Sequence, residues 1–101
     1  MNVSRLAFHA LPGKTDEVEE QLKKLRDLVV AAGGTKPRIL RARFASQGAP
    51  DAVFEADVKD LATLDDRIAQ VNKKPEFQSW KKHMNSLLRE PPKREFYSLL
   101  D

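Results

Sequence analysis

Residues 39–58 read Ile39-Leu40-Arg41-Ala42-Arg43-Phe44-Ala45, then Ser46-Gln47-Gly48-Ala49-Pro50-Asp51, then Ala52-Val53-Phe54-Glu55-Ala56-Asp57-Val58. Both arms alternate with a period of two, the signature of half-buried strands. Leu40, Ala42 and Phe44 mark one face of the first arm, and Ala52, Phe54, Ala56 and Val58 mark one face of the second. Arg41 and Arg43 lie on the opposite face of the first, Glu55 and Asp57 on that of the second. An antiparallel hairpin turning at Gly48-Ala49-Pro50-Asp51 sets Arg43 across from Glu55 and Arg41 across from Asp57. Opposed charges on facing positions favour that register, which also matches the apolar faces.

Outward from this hairpin, Val3 to Leu11 reads as a first strand, with Leu6, Phe8 and Ala10 on one face and Val3, Arg5, Ala7 and His9 on the other. Pro12-Gly13-Lys14 ends it, because proline and glycine interrupt a ladder. Thr15 is placed to cap a helix whose first turn holds Asp16 and Glu17, where the helix dipole favours acids. Val18, Leu22, Leu25 and Val29 recur at helical spacing, and Gly33-Gly34 supplies a stop. After the hairpin, Asp60 is a second N-cap, followed by the stripe Leu61, Leu64, Ile68 and Val71. Lys73-Lys74-Pro75 breaks the stripe, since proline disfavours helix in the residue before it yet suits a first helical turn. A further helix sets Phe77, Trp80, Met84, Leu87 and Leu88 on one side. Pro91-Pro92 ends it, and Arg94 to Leu100 is the last strand, with Phe96 and Leu100 on one face.

The order strand, helix, strand, strand, helix, strand predicts an α+β fold of the ferredoxin-like βαββαβ kind: a four-stranded antiparallel sheet with its helices on one face. A chain of 101 residues is expected to form one domain, residues 1–101. It is 41% hydrophobic and 33% charged, as a soluble globular protein would be, and no apolar run approaches a membrane span. The sequence has no cysteine, which removes disulfides, thiolate nucleophiles and zinc-thiolate sites. No secretory signal is read at the N-terminus, so a cytoplasmic location is expected.

The net charge is +3, and the excess gathers between Arg67 and Arg94. Such a stretch can attract nucleic acid, but it is also the ordinary composition of a solvated helix face. RNA-recognition domains share this element order and need aromatics on the open sheet face. Here Phe8 and Phe54 are expected on the helix side, and Glu55 and Asp57 on the open face would repel phosphates. Neither nucleic acid nor membrane is expected as a partner.

The whole chain resembles the dimeric α/β-barrel superfamily, which includes the antibiotic-biosynthesis monooxygenase domains and NIPSNAP-type domains. The resemblance rests on Leu6-Ala7-Phe8-His9-Ala10-Leu11-Pro12-Gly13-Lys14, on Val58-Lys59-Asp60-Leu61-Ala62-Thr63-Leu64, on Lys74-Pro75-Glu76-Phe77-Gln78-Ser79-Trp80 and on Arg94-Glu95-Phe96-Tyr97. It implies a homodimer with two sheets facing across a barrel, and a small-organic-molecule pocket either between each sheet and its helices or within the barrel. Haem-degrading members carry an Asn on the first strand and a Trp and His on the second helical region. This chain has His9 on the first strand, and Lys81 where that His would fall, so it departs from their pattern.

The resemblance also implies two functional readings. In a cofactor-independent monooxygenase, His9 beside Glu55 or Asp57 would be the base, since a histidine near a carboxylate works close to neutral pH. Arg5, Arg41 and Arg43 would hold the anion, Tyr97 would orient the substrate, and Trp80 would line its pocket. No cofactor and no metal is expected; His9 and His83 lack ligand spacing. In the second reading the chain is a non-catalytic ligand-binding or structural dimer module. The same residues then have structural roles: Trp80 in the core, His9 as a hydrogen-bonded pin, the arginines and carboxylates as an ion-pair lattice.

Overall fold

A computed structural model describes residues 1–100 of the chain. Its elements are β1 (Asn2–Phe8), α1 (Thr15–Ala31), β2 (Arg38–Arg41), β3 (Ala52–Val58), α2 (Leu61–Asn72), α3 (Pro75–Ser86) and β4 (Lys93–Ser98). The four strands form one antiparallel sheet in the order β2-β3-β1-β4. The helices lie against one face, as the ferredoxin-like reading predicts, with the second helical region divided into α2 and α3 at Lys73-Lys74-Pro75. Lys74 is extended, at ψ 128°, as a residue before proline must be, and Pro75 opens α3.

The core forms where the strand period of two meets the helix period of 3.6. Phe8 and Ala52 are fully buried beneath Val18, Leu22 and Leu25 of α1 and Met84 of α3, with Leu87 and Leu88 closing the end. Asp60 caps α2 by accepting the Thr63 N–H at 2.8 Å, and that bond holds its carboxyl below the usual range. Thr15 is not a cap: it is already helical, and Lys14 precedes it without a side-chain capping bond. The end of α1 depends on two glycines. Gly33 takes φ +88°, and a Cβ on Gly34 would sit 2.6 Å from both Arg67 Nη1 and Val29 Cγ1.

The hairpin that decides the fold is present, but in a different register. Arg38, not Arg43, faces Glu55; Ile39 faces Phe54, Leu40 faces Val53 and Arg41 faces Ala52. The shift from 43 to 38 is an odd number of residues, so it also exchanges the faces of the strand. Ile39 and Arg41 point to the helix side, and Arg38 and Leu40 point away. The cause is the connection, which spans residues 42–51 instead of the four-residue break. The Ala42 N–H closes it on the Asp51 carbonyl at 3.0 Å. Asp51 then fixes the far end to β1: its N–H donates to Phe8 at 2.9 Å, and its Oδ2 accepts from the Ala10 N–H at 2.8 Å. Phe44, expected in the core, stands fully in solvent on this loop.

Candidate functional site

A cleft of about 450 Å³ separates the sheet from the helices. Its floor is the inward face of the sheet, with Ser4 and Leu6 of β1, Phe54 and Ala56 of β3, and Arg94 of β4. Leu25 and Val29 of α1, Leu64, Ile68 and Val71 of α2, and Phe77, Trp80 and Met84 of α3 form its walls and roof. The alternation of each strand and the stripe of each helix aim these apolar side chains at one another. They do not meet across the middle, and the space between them suits a small organic molecule.

Trp80 and Phe77 form an aromatic wall, stacked with centroids 5.4 Å apart and planes at 20°. The Trp80 indole is oriented by its N–H, which donates to the Gln21 carbonyl at 2.6 Å. The charged group on the floor is Arg94, whose Nη1 donates to the Ser4 hydroxyl at 2.9 Å. Arg94 is an exposed residue whose guanidinium is partly desolvated against the cleft, which lowers its pKa, and the charge of Asp65 opposes that shift. Among the described residues Arg94 forms no ion pair with a carboxylate.

The sequence-predicted residues are scattered over the molecule. Trp80 lines the cleft, and Asp57 borders it at the end of β3. Arg5, Glu55, Asp57 and Tyr97 belong to the opposite face of the sheet, with Tyr97 half-exposed. There Arg38, a residue outside the predicted set, donates to Glu55 at 2.9 Å and to both oxygens of Asp57 at 3.0 and 3.1 Å. These bonds hold the Asp57 carboxyl below its ordinary range and push Arg38 up. Arg5 lies between Glu55 and Glu95 in register and 3.7 Å from the latter, and its buried Nε has no partner. Arg41 does not reach Asp57. It turns to the helix side and grips the nearly buried Glu19 of α1 through two bonds of 2.6 Å, which lower the Glu19 pKa against the opposing effect of burial. Arg43 is exposed on the 42–51 connection and adds a weaker attraction to Glu19.

His9 is buried where β1 ends, outside the cleft. Its neighbouring carboxylate is Glu90, not Glu55 or Asp57: Oε1 lies 2.9 Å from Nδ1, but without the alignment of a hydrogen bond. Its Nε2 is 3.2 Å from the Gly48 carbonyl, and its own carbonyl accepts the Arg89 N–H at 2.9 Å. His9 thus ties the 42–51 connection to the turn before β4. His83 is exposed, and no cluster of metal-ligating side chains occurs among the described residues. No helix is long and apolar enough to cross a membrane.

Ser4, Arg67 and Arg94 line the cleft without having been singled out as site residues from the sequence, as does Lys81, which the sequence marked only as a departure from the haem-degrading pattern. For Arg94 a signal existed: it shares strand parity with Phe96, so the alternation places a guanidinium on the inward face. Nothing local marks the others.

No family model matches the chain, and no curated protein matches it. Solved structures do. A NIPSNAP domain protein from Burkholderia xenovorans superposes with a TM-score of 0.75 at 14% identity, over 99% of this chain and 95% of that one. A candidate antibiotic biosynthesis monooxygenase from Bordetella bronchiseptica gives 0.70 at 20% identity, over 98% and 97%. SnoaB, a cofactor-independent oxygenase from Streptomyces nogalater, gives 0.69 at 15% identity, over 99% and 94%. At these identities the likeness concerns the fold, and the chain is similar over nearly its whole length to NIPSNAP and monooxygenase domains of ferredoxin-like architecture.

Proposed function

We propose that this protein is a cytoplasmic homodimer that receives a small, flat organic molecule in the cleft between its sheet and helices, in the manner of a cofactor-independent monooxygenase. The apolar cleft, walled by Phe77 and Trp80, carries this reading. A pocket of that size and lining gains affinity from apolar burial and orientation from a few polar groups. The neighbour SnoaB, a cofactor-independent oxygenase, supports the reaction class. The cleft walls carry no imidazole, and Asp57 at the border is already held by Arg38. A substrate turned over there must therefore be acidic enough to lose its proton to water before its carbanion meets dioxygen. One oxygen atom would enter the substrate as a carbonyl in place of two hydrogens, and the other would leave as water.

The second reading is a non-catalytic ligand-binding module. The saturated pairing of Arg38 with Glu55 and Asp57, and of Arg41 with Glu19, favours it, because charges so committed have structural work. The unpartnered Arg5 Nε on the second face supports dimerisation there, since a buried donor without a partner is costly until an acceptor is supplied.

Oxygen uptake with anthrones and polycyclic phenols tests the proposal. Uptake that saturates with substrate and disappears in Ala56→Trp, which fills the cleft, supports the oxygenase. Saturable binding without uptake selects the second reading. Uptake unchanged by Ala56→Trp removes the cleft from the function.

A further inference from the structure

We propose that the cleft selects organic acids, and that Arg94 is the residue that anchors the acid group. The inference rests on the cleft being the binding site and names the chemical class of its ligand.

The argument starts from the charges around the space. Lys59, Arg67, Lys81 and Arg94 line it, against the single carboxylate of Asp57. Asp57 accepts two hydrogen bonds from Arg38 on the other side of the sheet, so its charge is already compensated. The field inside the cleft is therefore positive, and the low-dielectric apolar walls focus it. Lys59 in the turn after β3, Arg67 on α2 and Lys81 on α3 stand around the cleft, where they steer an anion inward.

Arg94 differs from these three. It sits on the floor, directly across from Leu6 in the ladder, among side chains that offer no other charge. One of its five donors is used on Ser4, a hydroxyl that brings no compensating charge. Asp65 of α2 acts on it through its charge without forming an ion pair. Arg94 is exposed, so its guanidinium is accessible to a ligand, and it has no carboxylate partner among the described residues to act as its counter-ion. A ligand carboxylate supplies it and matches the planar fork with two parallel bonds. The Ser4 contact fixes the direction of the guanidinium, so part of the ordering cost is met before the ligand arrives. The ligand class follows: an aromatic or alicyclic body that lies along Phe77 and Trp80, carrying one carboxylate or similarly acidic oxygen that reaches Arg94.

Calorimetric titration with matched pairs tests this. Benzoic, naphthoic and anthracenecarboxylic acids are each compared with their primary amides at neutral pH. The acid of the best-fitting pair is expected to bind about tenfold or more tightly than its amide, the range of a charge-assisted hydrogen bond. In Arg94→Gln the acid is expected to fall to the affinity of the amide, with the amide unchanged; Arg94→Lys is expected to keep part of the preference. The unchanged amide also shows that Arg94→Gln leaves the cleft folded. Equal binding of acid and amide by the unaltered protein overturns the proposal and leaves the cleft standing as a site. A preference lost in Lys81→Gln but kept in Arg94→Gln moves the anchor to the rim and overturns the assignment. Failure of every acid and amide to bind overturns the cleft reading together with this one.

Discussion

The indole N–H of Trp80 on α3 donates to the main-chain carbonyl of Gln21 on α1 at 2.6 Å, so one bond both joins two helices and orients the aromatic wall of the cleft. Trp80→Phe keeps most of the apolar surface and removes that donor. The expected cost is about 1–2 kcal/mol in urea unfolding, because the Gln21 carbonyl loses a partner it has only through tertiary packing. Ligand affinity is expected to fall as well, since the ring is no longer held in place. Unchanged stability with unchanged affinity would show that the bond positions nothing.

Glu19 and Arg41 set part of the acid limb of stability. The folded-state pKa of Glu19 is depressed, chiefly by the hydrogen bonds from Arg41, so its contribution is present above the unfolded value and is lost as pH falls through the folded one. The melting temperature of the unaltered protein is expected to exceed that of Glu19→Gln at pH 7, with the difference closing below about pH 4, the region in which an unperturbed Glu titrates. A constant difference from pH 7 to pH 3 would mean that the pair acts through packing and not charge.

Phe44 tests the register of the hairpin directly. It is fully exposed on the 42–51 connection, so Phe44→Ser is expected to change the unfolding free energy by no more than about 0.5 kcal/mol. A loss of 2 kcal/mol or more would place this ring in a core and restore the tighter hairpin.

The dimerisation proposed for the second face would make a new charge there disruptive. Tyr97 is half-exposed beside Val3 on that face. Tyr97→Asp is expected to convert a dimer to a monomer in native mass spectrometry, with the far-ultraviolet circular dichroism kept. A monomeric unaltered protein, or a Tyr97→Asp protein that stays dimeric, would move the interface elsewhere.

His9 distinguishes a structural pin from a base. His9→Ala is expected to cost about 1–3 kcal/mol, the penalty for orphaning buried polar groups, and to speed amide exchange across residues 42–51. Turnover abolished with stability and exchange unchanged would assign His9 to chemistry.

The sequence carried the fold where one period was unambiguous. Val18, Leu22 and Leu25 allow only a helix with one buried side, and Leu6 and Phe8 allow only one phase of β1. Residues 39–44 allowed two phases, because Ile39 and Leu40 are adjacent and equally apolar, and each phase offers arginines to acids. Loop length chose between them, and the anchoring of Asp51 to Phe8 and Ala10 is a long-range fact that no local pattern reports. The site was harder to read for the same reason. Trp80 was visible as an aromatic at helical spacing, but Ser4 and Arg94 are ninety positions apart and become neighbours only through the pairing of β1 with β4.

That pairing has a consequence for how this molecule can change. β4 is an outermost strand, bonded to β1 alone, and the deepest core residues lie elsewhere, on β1, β3, α1 and α3. Substitutions at position 94 thus alter what the floor of the cleft offers without touching Phe8, Leu22 or Met84. If Arg94 anchors the ligand as proposed, selectivity is written on the part of the sheet least committed to holding it together, and descendants of this chain can acquire new ligands at little risk to the scaffold.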